Sequence, residues 1–155
     1  MRRSDKEIKD KKCIEWILKK ATVCRIALCD SEIPYIVPMT FGFEENSIYL
    51  HSAREGLKID IIRKNNQICF EADIETEILT ADNACSWGMK YYSVIGFGKA
   101  HFIENEKQKK DALDIIMQKY SNKPNETFEY SKSALDKTTA IKVEIESLTG
   151  KKSGY

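Results

Sequence analysis

Short runs in which apolar and polar residues alternate recur along the chain, and polar turns separate most of them. This period of two residues is typical of half-buried β-strands. The first three runs are joined only by the segments CDSE and EENS, so we expect them to form a three-strand meander. The pattern predicts strands at TVCRIAL (22–28), PYIVPMTFGF (34–43), SIYLH (47–51), QICFEAD (67–73), MKYYSVIGFGKAHFI (89–103) and TAIKVEIES (139–147).

Three other segments show helical spacing. Ser4 followed by Glu7 fits a capping box, which predicts that a first helix begins there. GLKIDIIR (56–63) predicts a second, short helix, and Asn105 with Gln108 predicts the start of a longer third helix. The apolar residues expected to face the core are Ile8, Ile14, Trp16, Ile17 and Leu18 in the first helix and Ala112, Leu113, Ile115, Ile116 and Tyr120 in the third.

These elements predict a mainly β fold, a small antiparallel β-barrel of about six strands with helices at its ends. We expect a single domain over residues 1–155, with loosely held tails at 1–9 and 150–155. Gly96 and Gly98 lie inside the longest predicted strand. Interior glycines at this spacing indicate a bulge, a bend, or the close approach of a ligand or of another backbone.

The composition of the chain argues against several classes of protein. The 155 residues carry a formal net charge of +1, with 42% hydrophobic and 32% charged residues, which argues against a nucleic-acid footprint. No apolar run approaches the roughly 18 residues of a membrane helix, and the charged N-terminus lacks the apolar stretch of a secretory signal. The five cysteines form no CxxC pair, so we expect reduced thiols, a cytoplasmic location and no metal site.

The segment YLHSAREGLKID, in which a strand runs into a helix, has the composition of a phosphate site. Amide groups at a helix N-terminus point outward, and the helix dipole favours an anion there. His51 ends the strand, Ser52 offers a hydroxyl, and Gly56 allows close approach of a ligand to the backbone. Lys58 supplies a cation one turn into the helix, and Arg54 offers a second.

The same segment has a plain structural interpretation, which the residues alone leave open. The Ser-x-x-Glu spacing that begins at Ser52 is also a capping box, and a serine there can simply cap the helix. Lys58 is then an ordinary solvated lysine, and His51 is a hydrogen-bonded histidine at the end of a strand.

Two further stretches can also be interpreted either as ligand-binding segments or as purely structural ones. Pro38 removes a ladder donor, so it should lie on an edge strand or at an interruption of pairing. A flat ring could lie against such a backbone and bond to the N–H of Met39 or Thr40. The alternative is an edge strand that its prolines protect from aggregation. In SWGMKYYSVIGFGKAHF, aromatic residues precede the glycine-bearing strand, where they can serve a core, an interface or a ligand.

The ordered set of motifs PYIVPMTFGF, YLHSAREGLKID, ICFEAD, MKYYSVIGFGKAHF and TGKK resembles a known family across roughly residues 10–152. The chain is similar to the FMN-binding split barrels related to pyridoxamine 5′-phosphate oxidase. Within them it most resembles the nitroimidazole-resistance (Nim-type) proteins. The resemblance implies a split β-barrel, a six-stranded antiparallel Greek-key-like barrel, that forms a homodimer with FMN at the subunit interface.

The resemblance also implies roles for individual residues. Those expected to back the flavin ring are Val37, Pro38, Met39 and Thr40. Those expected around the ribityl phosphate are His51, Ser52, Ala53, Gly56 and Lys58. Those expected to reach the cofactor largely from the second subunit are Trp87, Lys90, Tyr91 and Ser93. His51 falls where Nim-type proteins carry an active-site histidine, and Lys151 matches the lysine of their terminal TGK.

The implied function is that of an FMN-dependent oxidoreductase, which passes electrons from a small-molecule donor to a small acceptor such as a nitroimidazole. The arginine-rich, tryptophan-bearing C-terminus of the true pyridoxamine phosphate oxidases is missing, so vitamin B6 oxidation is not expected. One alternative is a flavin-binding module that stores or senses FMN without turnover. Another is binding of haem or a deazaflavin, for which His51 and His101 are the only histidines.

Overall fold

The computed structural model describes residues 3–123 and 126–155. Its helices and strands follow each other in the order β1 (Glu7–Ile8), α1 (Lys11–Lys20), β2 (Cys24–Asp30), β3 (Ile33–Met39), β4 (Gly42–Glu44), β5 (Ser47–Ala53), α2 (Leu57–Lys64), β6 (Gln67–Leu79), β7 (Gly88–Ile103), α3 (Glu106–Tyr120), α4 (Lys132–Lys137) and β8 (Thr138–Ser153). Single 3₁₀ turns lie at Ser4–Lys6 and Ala84–Ser86.

The eight strands found in the described residues form one antiparallel sheet with the order β3-β2-β6-β7-β8-β5-β4, and β1 pairs with β8. The mainly β prediction is confirmed, although eight strands replace the expected six. The two edge strands, β3 and β4, are consecutive in the chain and are joined only by Thr40 and Phe41. Because two residues span only about 7 Å, the edges must lie close together, and the sheet is therefore rolled into a barrel.

The predicted meander is wrong. β2 and β3 pair as a hairpin, as do β4 and β5, but the second predicted run breaks between Met39 and Gly42. β5 then pairs with β8, so Ser47 lies opposite Glu144 and Ala53 opposite Thr138. The local turns were visible in the sequence, but the pairing of β5 with a strand about 90 residues later depends on the closure of the barrel.

The N-terminal segment corrects two expectations. Ser4 begins only a 3₁₀ turn, and α1 begins after Asp10, whose carboxylate accepts a hydrogen bond from the Lys12 amide at 3.0 Å. Glu7 and Ile8 pair with residues 151 and 150 of β8, and β8 continues to residue 153. Residues 7–8 and 150–153 therefore belong to the sheet instead of forming loose tails, while residues 1 and 2 lie outside the described residues.

The glycines of β7 are explained by close approach. A Cβ at Gly98 would lie 2.2 Å from the carbonyl oxygen of Glu144, and the β7–β8 register shifts between Phe97 and Gly98. A Cβ at Gly96 would lie 2.2 Å from the ring of Phe70. The expected bulge and the expected approach of another backbone are both confirmed.

The helices cover the barrel with the faces that their periodicity predicted. Asn105 caps α3 by accepting a hydrogen bond from the Gln108 amide at 3.0 Å, as expected. Trp16, expected in the core, is 41% exposed. None of the described helices is long and apolar enough to cross a membrane. The largest fully buried side chains include Phe41, Phe70, Ile17, Leu18, Ile26, Ile48, Leu50, Ile59, Ile61, Ile116, Ile141 and Val94.

Candidate functional site

The bend between β5 and α2 carries the predicted phosphate cradle, and it excludes the simple capping interpretation of Ser52. Ser52 lies inside β5, opposite Thr139, and so does not reach the cap position. Gly56 is the N-cap of α2, and no described side chain caps this helix. Its φ of 125° is open to glycine and strained for other residues. The first amides of α2 are therefore left for water or a ligand.

His51 of β5 and Lys58 of α2 lie near each other at this bend. Burial and the nearby charge of Lys58 lower the pKa of His51 below its ordinary value of 6.5. Burial also lowers the pKa of Lys58. Each shift has the sign expected when cationic side chains are partly buried without a matching anion. A phosphate at the start of α2 would provide that anion, so the residues fit the group.

The first predicted stretch lies on a sheet edge, as its prolines indicated. Val37 and Pro38 pair with Ile26 and Arg25 of β2, and β3 has no second neighbour in the sheet that the described residues form. Met39 is the last paired residue of this ladder, and Thr40 begins the link that crosses to β4.

The third predicted group lies far from the bend in the same chain. His51 is opposite Ala140 of β8, which is opposite Ile103 at the end of β7. Ser93 is opposite residue 151 near the other end of β7, ten residues before Ile103. At about 3.3 Å per residue, roughly 33 Å of strand separates these two positions. The strand register therefore provides no contact between Ser93 and His51 within one protomer.

The side chains of this third group are exposed or partly exposed. Trp87 is 56% exposed, and its indole N–H donates to the carbonyl of Ala81 at 2.8 Å. Lys90 pairs with Glu77 at 3.0 Å across the β6–β7 hairpin. The ammonium of Lys151 lies 5.4 Å from the ring centroid of Tyr91, and Lys151 is also the cross-strand neighbour of Ser93. The structure thus groups the lysine of TGKK with this hairpin.

One outward face of the sheet is apolar and exposed. Residues directly opposite each other share a face, and the buried Ile26, Phe70 and Val94 mark the inner one. The outward face consists of two neighbouring cross-strand rows. The first row is Ile36, Ala27, Cys69 and Phe97, and the second is Pro38, Arg25, Glu71 and Ile95. Exposed fractions of 63% for Ile36, 53% for Phe97 and 45% for Ile95 are high for large apolar side chains.

An ion-pair cluster lies within the outward face. Arg25 donates to Glu71 at 2.9 Å and also bonds to Asp73. Burial and the negative charge of Asp73 raise the pKa of Glu71, against the opposing effect of Arg25. A single guanidinium therefore serves two carboxylates next to an apolar surface. The alternation of apolar and polar residues predicted that Arg25, Glu71 and Asp73 lie in strands. It contains no signal that the arginine pairs with the two carboxylates.

Comparison with known proteins identifies the family of this chain. The family model described as pyridoxamine 5′-phosphate oxidase matches residues 10–152. A candidate 5-nitroimidazole antibiotic resistance protein from Bacteroides thetaiotaomicron is similar to this chain at 38% identity, with a TM-score of 0.83 over 94% of this chain and 85% of the other. No curated protein matches the sequence significantly.

Two more distant structures share the fold. The flavocytochrome Anf3 from Azotobacter vinelandii has a TM-score of 0.87 at 18% identity, covering 100% of this chain and 72% of the other. The FAD and heme binding protein from Mycobacterium smegmatis has a TM-score of 0.86 at 16% identity, covering 97% and 74%. At these identities the likeness is one of fold, and it agrees with the expected split barrel.

Proposed function

Because the chain belongs to the pyridoxamine 5′-phosphate oxidase family, we propose that it binds FMN and transfers electrons from a reduced donor to a small acceptor. The observation that carries the proposal is the bend between β5 and α2. There a helix N-terminus without a side-chain cap from any described residue lies beside His51 and Lys58. Amide donors, the helix dipole and a lysine together are the groups that bind a phosphate monoester.

Each part of the bend has a role in this proposal. Gly56 sets the direction in which the chain enters α2, and the amides that follow it donate to the phosphate. Lys58 provides the charge, and Ser52 and Ala53 at the end of β5 form the wall between the phosphate and the barrel. The ring lies against the edge formed by Val37, Pro38, Met39 and Thr40.

The second half of the site comes from another copy of the chain. Ser93 lies ten positions along β7 from the residue level with His51, and in this proposal Trp87, Lys90, Tyr91 and Ser93 reach the cofactor from the partner. The outward face, with its exposed Ile36, Ile95 and Phe97, is the surface that brings the two copies together. A homodimer of this kind buries apolar area that is otherwise in water.

Bound FMN would supply the redox chemistry, taking two electrons from a reduced nicotinamide and passing them to an acceptor such as a nitroaromatic. The 38% identical relative named for 5-nitroimidazole resistance supports this acceptor class. His51, beside the bend, donates a hydrogen bond from a ring nitrogen that orients the acceptor.

A visible absorption spectrum of the purified protein, repeated after addition of FMN and desalting, tests the proposal first. Retained paired flavin bands are expected. A colourless protein that does not retain FMN would overturn it, and a Soret band would replace flavin with haem. Consumption of a reduced nicotinamide, with and without a nitroaromatic, then tests the enzymatic part. A flavin-loaded protein without turnover would be a storage or sensing module.

A further inference from the structure

The ladder between β2 and β3 ends in an unusual way. Its last pair is Cys24 with Met39, and the same register would next place Val23 opposite Thr40 and then Thr22 opposite Phe41. Instead, the hydroxyl of Tyr120 lies between the last two. It accepts a hydrogen bond from the Phe41 amide at 2.9 Å and donates one to the Thr22 carbonyl at 2.9 Å.

A tyrosine side chain therefore occupies the position of the next rung. Two backbone groups that could bond directly are bridged through one oxygen, which keeps the two strands apart at this point. Burial raises the pKa of Tyr120, so the hydroxyl keeps the proton that it donates to Thr22. The separation occurs where the chain leaves β3 and crosses to β4, which is the closing point of the barrel.

The neighbouring lysine strengthens the same attachment. Lys119 donates to the carbonyl of Leu18 at 2.6 Å, near the end of α1. Its Nζ also lies 3.1 Å from the ring centroid of Phe41, and burial lowers the pKa of Lys119 to about 7. The last turn of α3 thus holds three backbone segments: the end of α1, the start of β2 and the Thr40–Phe41 link. Phe41 is fully buried between them.

We propose that Tyr120 is a positioning residue for the flavin ring, because its hydroxyl sets where the Met39–Phe41 backbone leaves the β2–β3 ladder. This inference rests on the proposed function, in which Met39 and Thr40 back the ring. Tyr120 itself does not touch the cofactor. By holding the Phe41 amide, it would fix the direction of the adjoining Thr40 amide and carbonyl relative to the ring.

The test compares Tyr120→Phe with Tyr130→Phe. Each substitution removes one hydroxyl and keeps the ring, and Tyr130 also bonds to α3, through the carboxylate of Asp114 at 2.8 Å. Removing two hydrogen bonds at the link should weaken FMN binding in Tyr120→Phe about tenfold and shift the visible flavin band. Tyr130→Phe should bind FMN within about twofold of the original protein. Equal FMN affinity in the original protein and Tyr120→Phe would overturn the proposal, as would an equal loss in both variants.

Hydrogen exchange of the apoprotein separates this inference from the proposed function. The amide of Phe41 should exchange at least tenfold faster in Tyr120→Phe and at an unchanged rate in Tyr130→Phe. If the original protein binds no FMN, the proposed function fails, yet faster exchange would still assign Tyr120 to the end of the ladder. Unchanged exchange at Phe41 would remove Tyr120 from that role whether or not FMN binds.

Discussion

The β5–α2 bend and the β6–β7 hairpin hold the two halves of the candidate site, and they are built differently. The bend is complete within one chain, because a strand, a glycine and a helix start follow each other within eight residues, from His51 to Lys58. The hairpin places Trp87 and Ser93 at the far end of a 16-residue strand, on a largely exposed surface. Local sequence alone brings the residues of the bend together, whereas the proposed ring pocket depends on a second copy of the chain.

The largest expected effect comes from breaking the contact between copies. Phe97→Glu places a carboxylate on the outward face, where burial against a second copy without a partner charge is strongly unfavourable. We expect the protein to become a monomer by sedimentation and to lose FMN binding at the same time. Met117→Glu, which changes an apolar residue of α3 that is 41% exposed, should leave both unchanged. A Phe97→Glu monomer with full FMN affinity would show that the hairpin is not part of the site.

The next effect tests the bend by charge reversal. Lys58→Glu places an anion against the phosphate, so FMN affinity should fall about 100-fold, the size of effect seen when one partner of a close charge pair is lost. Lys64→Glu reverses a charge in the last turn of the same helix, where the side chain is 3.5 Å from Asp30, and should retain FMN. Fluorescence titration measures both affinities. Similar affinities in the two variants would remove Lys58 from the cradle.

A third prediction concerns the backbone of the bend. Gly56→Ala should lower the free energy of unfolding by about 2 kcal/mol, because alanine is strained at a φ of 125°. No described atom lies within 4 Å of a Cβ at Gly56 or at Gly88, so crowding does not contribute at either position. Gly88→Ala is therefore the matched control, with an expected change under 0.5 kcal/mol by urea unfolding. Equal stability of the two variants would contradict the conformational role.

The smallest effect separates binding from turnover at His51. His51→Ala should keep FMN affinity within a few-fold and lower kcat with the acceptor, because in the proposed site the imidazole orients the acceptor and Lys58 binds the phosphate. A large loss of FMN affinity with unchanged kcat would move His51 into the phosphate site.

The pKa shift of His51 also predicts a direction for stability. In the apoprotein, His51 should titrate below 6.5 by NMR. The unfolded chain then binds the proton first, so this residue makes the folded state less stable as the pH falls below about 6.5. His51→Ala should reduce that dependence. A titration above 6.5 in the apoprotein would contradict the burial of this side chain.

Local signals identified much of this fold. Asn105 and Gln108 marked the start of α3 because a cap involves only neighbouring residues. Gly98 was predicted to be a site where another backbone comes close, because a glycine within a strand pattern can be read directly from the sequence. The Ser4 and Ser52 capping boxes were wrong for the converse reason. Both segments have the spacing of a capping box, but both are part of the sheet instead of a helix start. Glu7 pairs with β8 in the first segment, and Ser52 itself pairs with β8 in the second.

By itself, the sequence determined the class of the fold, most of its strands and helices, and the residues of the β5–α2 bend, because each depends on side chains a few positions apart. Only the tertiary structure decided which strands pair and which distant side chains meet. It paired β5 with β8, separated Ser93 from His51, gathered Arg25 with Glu71 and Asp73, and placed the hydroxyl of Tyr120 between Thr22 and Phe41. The contacts among them join residues from 46 to 98 positions apart, and no local propensity encodes them, since they follow from how the sheet rolls and closes.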